Sequence, residues 1–247
     1  MFIGQRGMFL RARAGNARGK VRGAVSPHGL RVLALIPVIA LLMFLNAPAS
    51  SGSGPGDVVE AGTGRGWQLV FSDDFEREEI GDDWKFLDLR GAGVEGEGEW
   101  SIRGDGLEGF GGAVINRRFR GRHRVVVYAS SENPCDLSPF IHASLRHGWR
   151  GGYLLQFGGH QNTRNEARRF GLEHIGYDTQ HMIEPGRVHR IVGEFDGENV
   201  RLEVDGKEVH RYYETSPLIG EHHERVGIYI HNPGRIERVK VYLKPAE

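Results

Sequence analysis

The sequence predicts an all-β domain built from two antiparallel sheets packed face to face. Between Trp67 and Leu243, short runs rich in Val, Ile, Tyr and Phe alternate with Gly, Asn, Asp and Pro, and no amphipathic helical period of any length interrupts them. The chain carries 37 glycines in 247 residues, which suits a fold with many turns. About a dozen strands exceed what one small open sheet holds, so two layers closing on a shared core are the expected solution.

The amino-terminal 49 residues stand apart from that pattern. They hold seven basic residues (Arg6, Arg11, Arg13, Arg18, Lys20, Arg22 and Arg31) and no Asp or Glu. Val32 to Leu45 is an uncharged apolar run, and Ala47-Pro48-Ala49 then offers the small residues that a signal peptidase reads. Residues 1–49 are therefore expected to be an export signal cleaved after Ala49, which directs the rest to the periplasm, the cell surface or the medium. An uncleaved anchor is the alternative. Spanning a bilayer takes ~20 apolar residues, whereas this run is shorter and contains Pro37, so no membrane insertion is expected once the signal is removed. Residues 50–66, SSGSGPGDVVEAGTGRG, have the composition of a flexible tether, and the folded domain is expected over residues 67–244.

Removing the leader changes the charge. Of 32 basic and 32 acidic residues overall, 25 basic against 32 acidic remain, a formal net charge of −7. Nucleic acid is excluded as an expected partner, because a phosphate backbone calls for a basic face and no Lys/Arg cluster with interleaved aromatics lies beyond the leader. Cys135 is the only cysteine, so no intrachain disulfide forms, and it is expected as a small buried residue.

The strands are expected, in order, over residues 68–72, 100–103, 106–108, 113–116, 122–129, 140–145, 153–157, 169–174, 188–195, 200–204, 207–212, 225–230 and 236–243. Asp205-Gly206 marks a two-residue hairpin, since Gly accepts the positive φ of that turn. The register follows: Val200, Leu202 and Val204 face the core, and Arg201 and Glu203 face water. In the closing stretch Val226, Ile228 and Ile230 point inward, Tyr229 and His231 outward, and Pro233-Gly234 is expected to turn the chain. Upstream, Tyr153, Leu155 and Phe157 form an apolar face, leaving Leu154 and Gln156 on the other. On 140–145 the alternation places Phe140 and His142 with Gln156, opposite Ile141 and Ala143.

WQLVFSDDFEREEIGDDWK, WSIRGDGLEG, RIVGEFDGENVRLEVDGKEV and RVGIYIHNPGRIERVKVYL together resemble a concanavalin A-like jelly roll. They are similar to the laminin-G-like and 3-keto-disaccharide hydrolase domains of exported bacterial proteins, over nearly all of Trp67 to Leu243. GGYLLQF resembles the Gly-Tyr-Glu-x-Gln strand of the hydrolase-like group, with Gln156 retained and Leu154 in place of the acid. SPFIHA stands where that group tends to carry Ser-Gly followed by an aromatic and Arg. The resemblance implies a jelly-roll sandwich that recognises carbohydrate on a concave sheet, with or without glycoside hydrolysis or lysis. Because such folds also serve as plain adhesion modules, a non-catalytic cell-surface interaction module is the alternative.

The residue types that line sugar sites are amides, imidazoles and guanidinium groups for hydroxyls, and aromatic rings for C–H faces. On that ground Phe140, Trp149, Gln156, His160, Asn162, Arg164 and Tyr229 are the candidate carbohydrate-binding residues. His142 and His231 are the candidate acid/base groups, since imidazole titrates near neutrality. The alternatives are ordinary solvent-facing residues and, for His142, a core histidine. Glu194 is a further candidate acid. Glu194-Phe195-Asp196-Gly197-Glu198 superficially matches the alternating acids of jelly-roll glucanases, but Asp196 to Asn199 has the composition of a turn that takes Glu198 off the sheet. No cofactor is expected to be required. Asp73-Asp74 offers oxygen ligands for a structural Ca²⁺, and the histidines of EHHE (221–224), His174 and His181 lack the i, i+4 spacing of a zinc hydrolase.

Overall fold

The computed structural model describes residues 57–62, 66–87, 99–169 and 173–245. The expected export signal and most of the expected tether lie outside them. Fifteen strands are present among these residues: β1 (Val58–Glu60), β2 (Gln68–Asp73), β3 (Trp84–Leu87), β4 (Ser101–Arg103), β5 (Gly106–Ile115), β6 (Arg118–Arg120), β7 (Arg122–Ser130), β8 (Leu137–Ala143), β9 (Tyr153–Gly158), β10 (Arg164–Arg169), β11 (Glu173–Asp178), β12 (His189–Phe195), β13 (Asn199–Val204), β14 (Lys207–Tyr213) and β15 (Arg225–Lys244). No helix among them is long and apolar enough to cross a membrane.

β15 organises both layers. Its first half pairs with β8 on one side and β5 on the other, so the first sheet runs β11-β10-β9-β8-β15-β5 with β3 and β4 against β5. Its second half pairs with β7 and β2, so the second sheet runs β14-β13-β12-β7-β15-β2. Pro233-Gly234, expected as a turn, instead lies within one 20-residue strand where it passes from one sheet to the other. The register against β5 shifts between Ile230 and Gly234 there, which absorbs the missing proline N–H without ending the strand. Val58–Glu60, inside the expected tether, forms a strand parallel to Arg118–Arg120.

Alternation builds the core. Leu155 and Phe157 from the first sheet meet Ile191, Leu202 and Val239 from the second, all buried in one cluster. Each such side chain contributes roughly 1.5–3 kcal/mol by leaving water. The Asp205-Gly206 hairpin forms as its residues dictate, with φ of 51° and 83°. Asp196 Oδ1 accepts from the Glu198 and Asn199 N–H groups at 2.9 and 2.7 Å, and that side-chain-capped turn separates β12 from β13.

Candidate functional site

The outward face of the first sheet is laid out by register. Glu166 on β10 lies across from Gln156 on β9, and Tyr229 on β15 lies across from Ser138 on β8. One row along, Arg168 pairs with Leu154, and Leu154 with Phe140. Cross-strand partners share a face, so Glu166, Gln156, Tyr229, Arg168, Leu154 and Phe140 emerge on the same side. Trp149 reaches this face from the short 3₁₀ turn Trp149–Gly151 and tilts against Tyr229 with ring centroids 5.5 Å apart.

Of these, Trp149, Leu154, Gln156, Arg168 and Tyr229 line a cleft of about 300 Å³, at the lower end of the size of ligand pockets, ~300–1,000 Å³. Trp149, Leu154 and Tyr229 give apolar surface, and Asp136, Gln156, His160, Gln161, Arg168 and His231 give polar surface. The Tyr229 hydroxyl and His231 Nδ1 are 3.0 Å apart. Gln156 donates through Nε2 to Asp136 Oδ1, which turns its Oε1 away from the carboxylate; that oxygen and the Trp149 indole N–H are buried without a hydrogen-bond partner. Unpaired buried polar atoms cost about 1–3 kcal/mol each, and these two belong to residues that line one cleft.

Asp136 was hidden in the sequence, where Asn133-Pro134-Cys135-Asp136 reads as turn composition. It is buried, its backbone is left-handed at φ 60°, and it accepts from Ser138 Oγ at 3.3 Å as well as from Gln156. Burial pushes its carboxyl above the usual range, against the opposing hydrogen bonds and the charge of His231. Cys135, buried as expected, faces Asp136 Oδ2 at 3.5 Å, and burial with that neighbouring carboxylate raises its thiol, which keeps it protonated.

The mouth of the cleft is formed by a left-handed turn. His160, Gln161 and Asn162 have φ of 53°, 59° and 59°, a conformation that costs a non-glycine residue roughly 1–2 kcal/mol. The turn is fixed from behind: Asn162 Nδ2 donates to the Ile183 carbonyl at 2.8 Å and its Oδ1 accepts from the Ile183 N–H at 2.9 Å. Strain held in place by surrounding bonds is a mark of functional loops.

Of the expected site residues, Trp149, Gln156, His160, Tyr229 and His231 line this cleft together. Phe140 shares the face but is fully buried in a cluster with Trp149, Leu154 and Tyr229, so it supports the floor. Asn162 anchors the turn, and Arg164 pairs with Glu166 and His160 beside it. The expected strand over 169–174 gives way to β10 and β11, because Asn165 and Ala167 point inward while charged Glu166 and Arg168 occupy the outward face.

His142 is a correction. β8 carries one residue more than β15 between the pairs Phe140–Gly227 and Ala143–Arg225, and the bulge, with His142 at φ 51°, reverses the alternation. Its ring therefore turns into the core, 2% exposed, against Phe195 and Tyr153. Glu194 lies on the second sheet, buried and ion-paired to Arg124 and Arg201, away from the cleft. Asp73 does not suit Ca²⁺ either: its two oxygens accept from both terminal nitrogens of Arg77, from Trp84 Nε1 and from the Phe75 N–H, while Asp74 caps the Glu76 N–H at 3.4 Å. Among the described residues no group of three His, Cys, Asp or Glu side chains is arranged to hold a metal ion.

No family model matches the chain, and no curated protein matches it. Solved structures do. A Bacillus subtilis protein of unknown function with a galectin-like fold superposes with a TM-score of 0.57 at 11% identity, over 72% of this chain and 100% of the other. A structure from work on endo-acting O-glycanases of the human gut microbiota that initiate mucin breakdown gives 0.52 at 14%, over 72% and 100%. The laminarinase catalytic domain of Thermotoga maritima gives 0.51 at 13%, over 73% and 99%. At these identities the likeness speaks of architecture, and with the two antiparallel sheets described above it establishes that the chain folds as a concanavalin A-like jelly-roll sandwich.

Proposed function

We propose that this domain is exported and binds carbohydrate in the cleft between Trp149, Gln156 and Tyr229. One observation carries the reading: Gln156 Oε1, an acceptor, and Trp149 Nε1–H, a donor, are both buried and unpartnered, and both residues line the same cleft. A sugar hydroxyl donates and accepts at once, and the indole and phenol rings suit the C–H face of a pyranose. The fold is also one that a laminarinase domain uses. Export rests on the apolar run Val32 to Leu45 followed by Ala47-Pro48-Ala49.

The test is saturable binding of oligosaccharides to the exported protein, read by calorimetry, and weakened about tenfold in Gln156→Ala, with a melting curve showing that the variant folds. Absence of binding to any member of a broad glycan array would overturn the reading. Amino-terminal sequencing of protein recovered outside the cytoplasm tests cleavage after Ala49.

A second reading, glycoside cleavage, is favoured by Asp136. A carboxyl held above its usual range beside an imidazole in a binding cleft is the arrangement of a general acid. Asp136 would protonate the glycosidic oxygen, and His231 would serve as the base. Release of reducing ends from a bound oligosaccharide, lost in Asp136→Asn, tests it.

A further inference from the structure

We propose that the carbohydrate is acidic, and that its carboxylate or sulfate is held in a second cleft next to the first. The inference rests on the carbohydrate reading above and names the class of sugar. This second cleft, of about 400 Å³, lies between the segment Ser144 to Gly151 and the 3₁₀ turn Glu221–His223. Two guanidinium groups, Arg146 and Arg150, and three imidazoles, His147, His222 and His223, line it, and no carboxylate does.

The charge is local. Beyond the expected leader the chain has 25 basic residues against 32 acidic ones, and most arginines of the fold are tied to a carboxylate, as in Arg77–Asp73, Arg117–Asp83 and Arg201–Glu194. Arg146 and Arg150 pair with none among the described residues. Glu221, next to His222 in the chain, stands 3.7 Å from His222 Nε2 with both side chains largely exposed, where an ion pair contributes little. Two unpaired guanidinium groups beside three imidazoles leave a positive site that an anion can fill, and the planar fork of Arg matches a carboxylate or sulfate.

The walls are fixed. Ser144 bridges to Gly148, its Oγ accepts from the His147 N–H at 3.1 Å, and the Arg150 N–H donates to the His147 carbonyl at 3.1 Å. From the opposite wall, His223 Nδ1 lies 2.8 Å from the Gly151 carbonyl and 3.2 Å from that of His142, so it donates to both. A residue of the second cleft also touches a wall of the first. Arg150 Cζ lies 5.4 Å from the centre of the Trp149 ring, and Trp149 is the wall of the first cleft. A sugar bound beside Trp149 would thus lie near the Arg150 guanidinium.

The experiment is calorimetric titration of the full exported protein with three oligosaccharides of equal length: a neutral β-glucan, an oligogalacturonate and a sulfated chondroitin. At least one acidic oligosaccharide is expected to bind tenfold or more tighter than the neutral one, and which of the two is preferred distinguishes carboxylate from sulfate. In Arg146→Ala/Arg150→Ala that ratio should fall to about one, with Arg146→Lys/Arg150→Lys intermediate and melting curves showing that both variants fold. Equal affinities for neutral and acidic sugars in the unmodified protein, or an unchanged ratio in the alanine variant, would overturn the acidic specificity while leaving carbohydrate binding standing. A DNA duplex bound as tightly as the acidic sugar would also overturn it, as would failure to bind either acidic oligosaccharide; only failure across the broad glycan array removes the underlying reading as well.

Discussion

The imidazole of His142 stacks on that of His123, ring centroids 4.2 Å apart and planes within 22°, inside the sandwich. Both rings are buried, and His123 Nε2 meets the Phe119 carbonyl. Burial lowers His123 to about 4, and burial together with the neighbouring His123 holds His142 well below the ordinary range. Both are thus neutral when folded, whereas an unfolded chain protonates them near 6.5. The unfolded state binds more protons below that value, so stability is full above pH 6.5 and declines as the pH falls toward 4. His123 alone accounts for about 3 kcal/mol by pH 4. Urea unfolding between pH 7 and 4 should show this decline. His142→Asn, which accepts the positive φ and does not titrate, should remove the share of His142 and leave that of His123; an equally steep decline in the variant would exclude His142 as a source.

That pair also marks how far the sequence is legible. Period-two alternation located the sandwich and the shared face of Gln156, Tyr229 and His231, because an uninterrupted strand keeps its parity, and Asp-Gly turn chemistry located the 205–206 hairpin. His142 defeated the same rule, since the extra residue in β8 leaves no trace in the local alternation. Asp136 escaped because a turn-like tetrapeptide precedes its strand, and β10 because its outward residues are charged. Each of these three misses comes from a bulge or a buried charge, which depends on contacts across the fold and not on neighbours in sequence.

The close approach of β5, β8 and β15 depends on Gly227. A Cβ there would press into the Ala113 carbonyl oxygen and sit 2.5 Å from the Phe140 Cζ. Gly227 pairs with both Val114 and Phe140, so neither neighbour can retreat without opening a ladder. Overpacking of this kind costs about 1–3 kcal/mol, and Gly227→Ala should lower the urea midpoint accordingly. Since Phe140 supports the cleft floor, sugar affinity should fall with it. A variant of unchanged stability would show that the three strands can spread.

Chelation should leave the domain's melting temperature unchanged. Asp73 is ion-paired to Arg77 at 2.6 Å, hydrogen-bonded to the Trp84 indole at 2.7 Å, and held below its usual range by those bonds, which outweigh the opposing effect of burial. Its folded carboxyl ionises more readily than the unfolded one, so this stabilisation is present above about pH 4 and is lost as the pH falls further. Arg77→Ala should destabilise by leaving a buried carboxylate unpaired. A drop in melting temperature on adding EDTA, restored by Ca²⁺, would show that a metal contributes here after all.

Asp136 and Gln156 separate binding from catalysis. Gln156→Ala removes the buried acceptor and the donor to Asp136, and should weaken sugar binding about tenfold, the cost of one hydrogen bond in a dry cleft. Asp136→Asn keeps the shape and the contact with Gln156 but cannot ionise. The raised carboxyl means that the unfolded chain releases this proton at a lower pH than the folded one, so ionised Asp136 costs stability as the pH rises above about 4. Asp136→Asn should therefore match or exceed the parent in melting temperature at pH 7 and still bind sugar. If the cleft cleaves glycosides, turnover falls at least a hundredfold in this variant, the share a positioned general acid supplies. Turnover that survives in Asp136→Asn would reassign the proton to His231, and binding without turnover in the parent would mark a recognition module.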